Sequence, residues 1–160
     1  MGSKKLSLLK QTLLLRAFAL LRIPMIAWVR PTVLQLDADR AVVRVPLFRH
    51  TRNHLRSMYF GALATGADCA VGLHAMHVMR EILPKPLHFS FKSFQAEFHR
   101  RAEDDVIFVC HEGRLIREKV EEAARTKERV SFPVKATAHV GSASSEPVAS
   151  FVLELSLKKK

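Results

Sequence analysis

Residues 61–75, GALATGADCAVGLHA, are almost all small, and they include one carboxylate, Asp68. The run from Asn53 to Leu83 predicts one long helix, which Pro84 and Pro86 end. Each glycine inside a helix costs about 1 kcal/mol relative to alanine, so the three glycines of this run indicate close approach of neighbouring backbone. We therefore expect a central helix enclosed by a strongly curved sheet.

The segments around this helix show the alternation of strands. A hairpin is predicted for Thr32–Leu36 and Ala41–Leu47, which flank a polar turn, and a long strand for Leu87–Phe98, where a β-bulge near Ser93 explains a shift in apolar phase. Three more strands are predicted at Val106–His111, Phe132–Val140 and Val148–Leu157, and a surface helix at Leu115–Thr126. The expected class is α+β with an antiparallel sheet.

A leucine-rich helix is predicted from Ser3 to Arg22, ended by Pro24. Its leucines face nearly all round, and its cations recur too often for a membrane-spanning run. We expect this helix to pack on its own domain or on a partner subunit; contact with a membrane surface is the alternative. The chain is expected to form a single domain over residues 1–160, with a helical extension at 1–30 and a core at 31–160.

Composition narrows the class of partner. The chain has 160 residues, 48% of them hydrophobic, and a formal net charge of +11, which favours an anionic partner such as a phosphate-bearing molecule. Nucleic acid is not expected, because the phenylalanines of residues 89–98 alternate as core residues. The two cysteines lack metal-ligand spacing, and His74 and His77 have no evident third ligand. We expect no metal site and a reducing, cytoplasmic setting.

A family resemblance is carried by Asn53, by Tyr59-Phe60-Gly61 and by Asp68. This pattern resembles the hotdog-fold acyl-CoA thioesterases of the phenylacetate-pathway (PaaI-like) type, which carry an Asn, a His-Gly-Gly at the start of the central helix and an Asp at this same spacing. The stretch NHLRSMYFGAL is similar to a further branch of that superfamily. The resemblance implies a hotdog fold, with a curved antiparallel sheet wrapped around the long helix.

The resemblance also implies roles for individual residues. Asp68 matches the acid that activates water or attacks the thioester carbonyl, and Asn53 matches the side chain that orients the thioester or the water. The backbone N–H groups of Phe60 and Gly61 match the donors that polarise the carbonyl. From the residues themselves, Ser57 is a candidate cap of the helix, and it is also among the expected substrate-binding residues. A structural Asp68 that hydrogen-bonds neighbouring backbone is the alternative.

The resemblance further implies a substrate and an assembly. An acyl-CoA is the expected substrate, so coenzyme A enters as part of it and no separate cofactor is expected. Ser90 or Ser93 matches the Ser or Thr that the family often adds on the next strand, and Arg52 and Lys92 are among the cations expected near the phosphates. A homodimer or homotetramer is expected, since a single curved sheet leaves edge strands unpaired.

Two positions depart from the family pattern. Tyr59 stands where the family has His and is expected to contact the substrate, and Phe60 replaces the first glycine. The backbone amide survives this change, while a large side chain now flanks it. A non-catalytic hotdog module that binds acyl-CoA or fatty acyl chains is therefore the alternative to a thioesterase.

Overall fold

The computed structural model describes residues 2–126 and 128–159; Met1, Lys127 and Lys160 lie outside the described residues. The helices are α1 (Gly2–Arg22), α2 (Pro24–Trp28), α3 (Phe60–Ile82) and α4 (Gly113–Thr126). The strands are β1 (Thr32–Leu36), β2 (Ala41–Val45), β3 (His88–Phe98), β4 (Val106–Cys110), β5 (Val130–Val140) and β6 (Ala149–Lys158). Every predicted strand and helix is present, and α2 is an addition.

The six strands form one antiparallel sheet in the order β1-β2-β4-β5-β6-β3. Helix α3 packs against β2, β4, β5 and β6, so most of the sheet lies on one side of a single helix. The α+β class and the central helix within an antiparallel sheet are confirmed. The predicted bulge is also confirmed, because the β3–β6 register shifts between Phe91 and Ser93.

The central helix begins later than predicted. Residues 53–59 form a loop, and α3 starts at Phe60 with Tyr59 as its N-cap. The loop closes on itself through short-range hydrogen bonds, including Asn53 N–H to the Ser57 carbonyl at 2.9 Å. These local hydrogen bonds compete with the helical conformation that was predicted for residues 53–59. The segment therefore stays irregular.

The small residues of α3 serve close packing at one glycine and not at another. A Cβ at Gly66 would overlap the Phe108 ring, which is fully buried, so that position needs glycine. A Cβ at Gly72 would meet only Asp68 and Phe89, at ordinary contact distances of 3.7 and 3.9 Å. The packing argument is therefore confirmed for Gly66 and wrong for Gly72.

Helix α1 lies along the edge strand β1. The Thr12 hydroxyl accepts the Val33 N–H at 3.0 Å, and the Arg16 guanidinium donates to the Pro31 carbonyl at 2.9 Å. Thr12 and Ala19 are buried, but most of the leucines of α1 are exposed. Helix α1 thus packs on its own domain only through a narrow strip against β1, and packing of its leucines on a partner subunit stays a prediction.

Pro24 both ends α1 and begins α2, where its fixed φ and missing N–H suit the first helical position. The sequence pattern predicted only the ending. Among the described residues, no helix combines the length and the apolar character that crossing a bilayer requires.

Candidate active site

Asp68 lies on α3 in a partly buried position beside β3. Its Oδ1 and the Phe89 ring both lie within 4 Å of the point where a Cβ at Gly72 would be. No backbone or side-chain group within residues 2–126 and 128–159 forms a hydrogen bond to its carboxylate. Burial raises the pKa of Asp68 to about 6, because a carboxylate loses hydration there without gaining a donor. The group can therefore hold or release a proton close to neutral pH.

A structural role for Asp68 would require hydrogen bonds from neighbouring backbone to its carboxylate. The described residues form no such bond. The adjacent Cys69 is buried, and burial raises the pKa of its thiol. A neutral thiol is a weak nucleophile, so Cys69 is a poor candidate and Asp68 stays the candidate reactive group of this segment.

Asn53 organises the loop that leads into α3. Its Oδ1 accepts the N–H groups of Leu55 at 2.9 Å and Ser57 at 3.2 Å, and its Nδ2 donates to the Ser57 hydroxyl at 3.1 Å. An amide nitrogen carries two hydrogens, so one donor of Asn53 has no acceptor within the described chain. Arg56 takes a left-handed conformation with φ 63°, which lets the loop close.

Ser57 does not cap α3. It is buried and bonded to Asn53, and the N-cap Tyr59 makes no side-chain cap hydrogen bond. The capping prediction is wrong because Asn53, four residues earlier, takes up the serine hydroxyl. Ser57 therefore affects the site only indirectly, by holding the loop before α3 in its conformation.

The start of α3 presents donors beside two aromatic rings. The N–H groups of Phe60 and Gly61 have no acceptor within the described part of the chain, as the first amides of a helix usually do not. The rings of Tyr59 and Phe60 lie 4.7 Å apart between centroids, and both side chains are exposed. A Cβ at Gly61 would lie 2.5 Å from Tyr59 Cε1, so the tyrosine ring covers the glycine.

Gly61 and Asp68 occupy the same face of α3. They are seven residues apart, which turns the helix by nearly two full turns and separates them by about 10.5 Å along its axis. The side chain of a helical residue leans towards the N-terminus, so Asp68 leans towards Gly61. The acid and the amide donors therefore border one stretch of helix surface.

The two serine candidates on β3 lie on the other face of the sheet. Ser90 alternates with Phe89 and Phe91, and Ser93 precedes Phe94, so neither serine points to the side of Asp68. Ser93 donates instead to Glu154 at 3.3 Å. A single chain does not bring these serines to the acid.

The cationic candidates are exposed. Arg52 lies in the loop before α3, where its backbone forms an isolated bridge with Met58, and Lys92 is the extra residue of the β3 bulge. Neither forms a salt bridge within the described residues.

Of the two histidines considered as metal ligands, His74 lies in the core. His74 is fully buried, with Nδ1 3.4 Å from the Cys110 sulfur, and burial lowers its pKa. The described part of the chain holds no group of three or more residues able to bind a metal.

Phe89 was expected only as a core residue. Its place beside Asp68 depends on the packing of β3 near α3, which no local sequence pattern reveals.

Several solved structures share this architecture. A protein of unknown function from Pseudomonas aeruginosa, described as a probable thioesterase, superimposes with a TM-score of 0.76 at 21% identity, over 93% of this chain and 96% of that one. A protein of unknown function from Chlorobaculum tepidum gives 0.75 at 14% identity, over 93% and 94%. A thioesterase family protein from Silicibacter pomeroyi gives 0.64 at 18% identity, over 90% and 94%. At these identities the likeness shows the fold, which is the hotdog fold.

Sequence comparison adds a family. Residues 11–153 match the family described as "Domain of unknown function (DUF4442)". No curated protein shows significant sequence similarity to the chain.

Proposed function

The chain belongs to the DUF4442 family, and from this premise and its hotdog fold we propose that it is a thioester hydrolase acting on an acyl-CoA, with Asp68 as general base or nucleophile. The observation that carries the proposal is a partly buried carboxylate to which no group of the described residues donates a hydrogen bond, on a helix whose first two N–H groups have no acceptor among those residues either. Structural relatives described as thioesterases support the same chemistry.

The reaction needs a base and a site for negative charge. In the general-base route, ionised Asp68 takes a proton from water as the water oxygen bonds to the carbonyl carbon. The carbonyl oxygen becomes negative and is stabilised by the N–H groups of Phe60 and Gly61 and by the positive end of the α3 dipole. The C–S bond then breaks, and the thiolate leaves and takes up a proton. The remaining donor of Asn53 orients the thioester or the water.

A dimer completes this proposal. Phe94 and Phe98 follow the bulge on the face of β3 that packs on buried Phe151, yet they remain 42% and 50% exposed. Strand β3 is also an edge strand, with unpaired backbone groups along its length. A second copy joined along β3 would cover both features and would bring the partner close to Asp68. Arg52 and Lys92 are then the proposed contacts of the coenzyme A phosphates.

One observation favours a second candidate, a module that binds acyl-CoA or fatty acyl chains without hydrolysis. The Tyr59 ring covers Gly61, so a thioester reaches the amide donors only if this ring moves. Free-thiol release from a panel of acyl-CoAs separates the two candidates, because a binding module gives saturable affinity without turnover.

Asp68→Asn tests the mechanism within the same assay. We expect thiol release to fall by about 10²- to 10⁴-fold with acyl-CoA binding retained, because the amide cannot accept a proton. Asp39→Asn, an exposed position in the β1–β2 turn, is the matched control and should hydrolyse at the wild-type rate. An Asp68→Asn protein with full turnover per folded molecule would contradict the proposal.

The pH profile gives an independent check. The base must be ionised, and the pKa of Asp68 is raised to about 6, so kcat/KM should rise with pH and level off above that value. A rate that does not change between pH 5 and 7, roughly the range around this pKa, would argue against Asp68 as the base.

A further inference from the structure

Helices α1 and α2 carry large apolar side chains that folding leaves exposed. Leu21 is 80% exposed and Trp28 is 69% exposed. The exposed apolar residues of this segment are Leu9, Leu13, Leu14, Phe18, Leu20, Leu21, Ile23, Met25 and Trp28. A soluble domain rarely leaves so many large apolar side chains together in solvent, so this surface, here called the α1–α2 face, indicates an interaction site.

The α1–α2 face points away from the domain. Thr12 and Ala19, seven residues apart, mark the buried strip of α1 against β1. Leu14 and Leu21 are also seven residues apart, and each lies two positions beyond a buried residue, which places them about 200° around the helix. The exposed apolar side chains of α1 therefore include those on the side opposite the one that the fold uses.

The charge around the α1–α2 face has one sign. The sequence contains no acidic residue before Asp37, while Lys10, Arg22 and Arg30 are exposed on these helices or directly after them. Lys10 and Arg22 form no salt bridge within the described residues. A two-fold contact between two copies of this face would bring cations against cations, which disfavours a second copy as the occupant.

We infer that the α1–α2 face docks on the surface of an anionic lipid bilayer. Helices that expose large apolar side chains together with cations can lie in the plane of the interface, with the apolar side chains among the lipid headgroups and upper acyl chains. Lys10, Arg22 and Arg30 then contact lipid phosphates. Trp28 lies at the boundary, a position that suits an apolar ring with one polar N–H.

The chain carries its own reporter for this contact. Trp28 is the single tryptophan, so its fluorescence describes the α1–α2 face alone. Titration of the full chain with vesicles of phosphatidylcholine mixed with phosphatidylglycerol should shift the emission to shorter wavelength, and the protein should sediment with the vesicles. Vesicles of phosphatidylcholine alone should give neither effect, and added salt should weaken the binding.

Two pairs of variants separate the apolar and the charged contributions. Leu14→Gln with Leu21→Gln should weaken partition to the mixed vesicles by about tenfold or more, whereas Leu55→Gln, a comparably exposed leucine outside the face, should not. Lys10→Gln with Arg22→Gln should weaken it by about fivefold for each cation removed. Arg114→Gln with Lys135→Gln, both exposed on other elements, is the charge-matched control.

Three results would overturn the inference. The first is a folded wild-type chain that neither sediments with the mixed vesicles nor changes its Trp28 emission. The second is equal binding to both kinds of vesicle, which would remove the role of anionic lipid. The third is a Leu14→Gln, Leu21→Gln protein that changes oligomeric state in light scattering while vesicle binding is unaffected, which would assign the face to a protein contact. Thermal unfolding of each variant confirms that it folds.

Discussion

The two long helices of this chain differ in the size of their apolar side chains and in how far these are buried. Helix α1 has 21 residues rich in leucine, and most of its large apolar side chains are exposed. Helix α3 has 23 residues rich in alanine and glycine, and twelve of them are buried. Leucine content therefore does not decide which helix forms the core: α1 carries five Lys and Arg residues along its length, whereas α3 carries three charged residues, two of them in its last turn. The thinner helix lies against the sheet because its backbone can approach the strands closely, as Gly66 does against Phe108.

The largest expected contrast comes from adding the same bulk to each helix. Ala70 on α3 is fully buried, so Ala70→Leu should lower the free energy of unfolding by about 3 kcal/mol through overpacking. Ala17 on α1 is exposed, so Ala17→Leu should change it by less than about 0.5 kcal/mol. Urea denaturation measures both; similar losses in the two variants would show that α1 is packed as tightly as α3.

The next contrast concerns the charge inside α3. The pKa of Asp68 is raised from 3.8 to about 6, so the folded chain binds its proton more tightly than the unfolded chain does. The stabilisation that this gives is complete below pH 4 and is lost as the pH rises through about 6. At about 1.4 kcal/mol per pKa unit, ionised Asp68 costs at most about 3 kcal/mol.

Asp68→Asn removes that cost. The variant should unfold at the same temperature as the wild type at pH below 4 and should be the more stable protein above pH 6, by up to about 3 kcal/mol. Thermal unfolding across this pH range measures the difference. A variant that is less stable at neutral pH would show that the carboxylate makes a stabilising bond in the folded protein.

Two glycines of α3 give a smaller contrast within one helix. Gly66→Ala gains helix propensity but places its Cβ against the buried Phe108 ring, so we expect a net loss of about 1 to 2 kcal/mol. Gly72→Ala meets only ordinary contacts and should gain about 0.5 to 1 kcal/mol. The denaturation midpoints are compared at pH 4. This pH is well below the raised pKa of about 6, so Asp68 is protonated in the folded protein and its charge does not affect the comparison. Equal shifts in the same direction would contradict this account of the packing.

The smallest expected effect lies on α1. Leu21→Ala should change the free energy of unfolding by less than about 0.5 kcal/mol, because its side chain is 80% exposed. Met79→Ala on α3, at a fully buried position, is the contrasting control and should cost about 2 to 5 kcal/mol. A large loss from Leu21→Ala in solution would mean that a partner chain already covers the α1–α2 face.

Local sequence patterns were enough to predict the order of the strands and of the three longer helices, the bulge in β3 and the candidate acid on α3. These depend on local patterns: alternation over a strand, the phase shift between Phe91 and Ser93, and a single carboxylate among small residues. The hotdog fold followed from the resemblance together with that order. Proline positions bounded the helices, although only the structure showed that Pro24 also begins one.

Which apolar surfaces are covered, and what surrounds the acid, depends on how segments distant in sequence pack together. Helix α3 occupies the side of the sheet formed by β2, β4, β5 and β6, so α1 is left with the edge of β1 and buries one strip there. The Phe89 ring near Asp68 and the closure of Asn53 on Ser57 likewise depend on the path of the folded chain. Periodicity shows which residues share a face, but burial depends on which faces meet, and that is settled by contacts between segments distant in sequence.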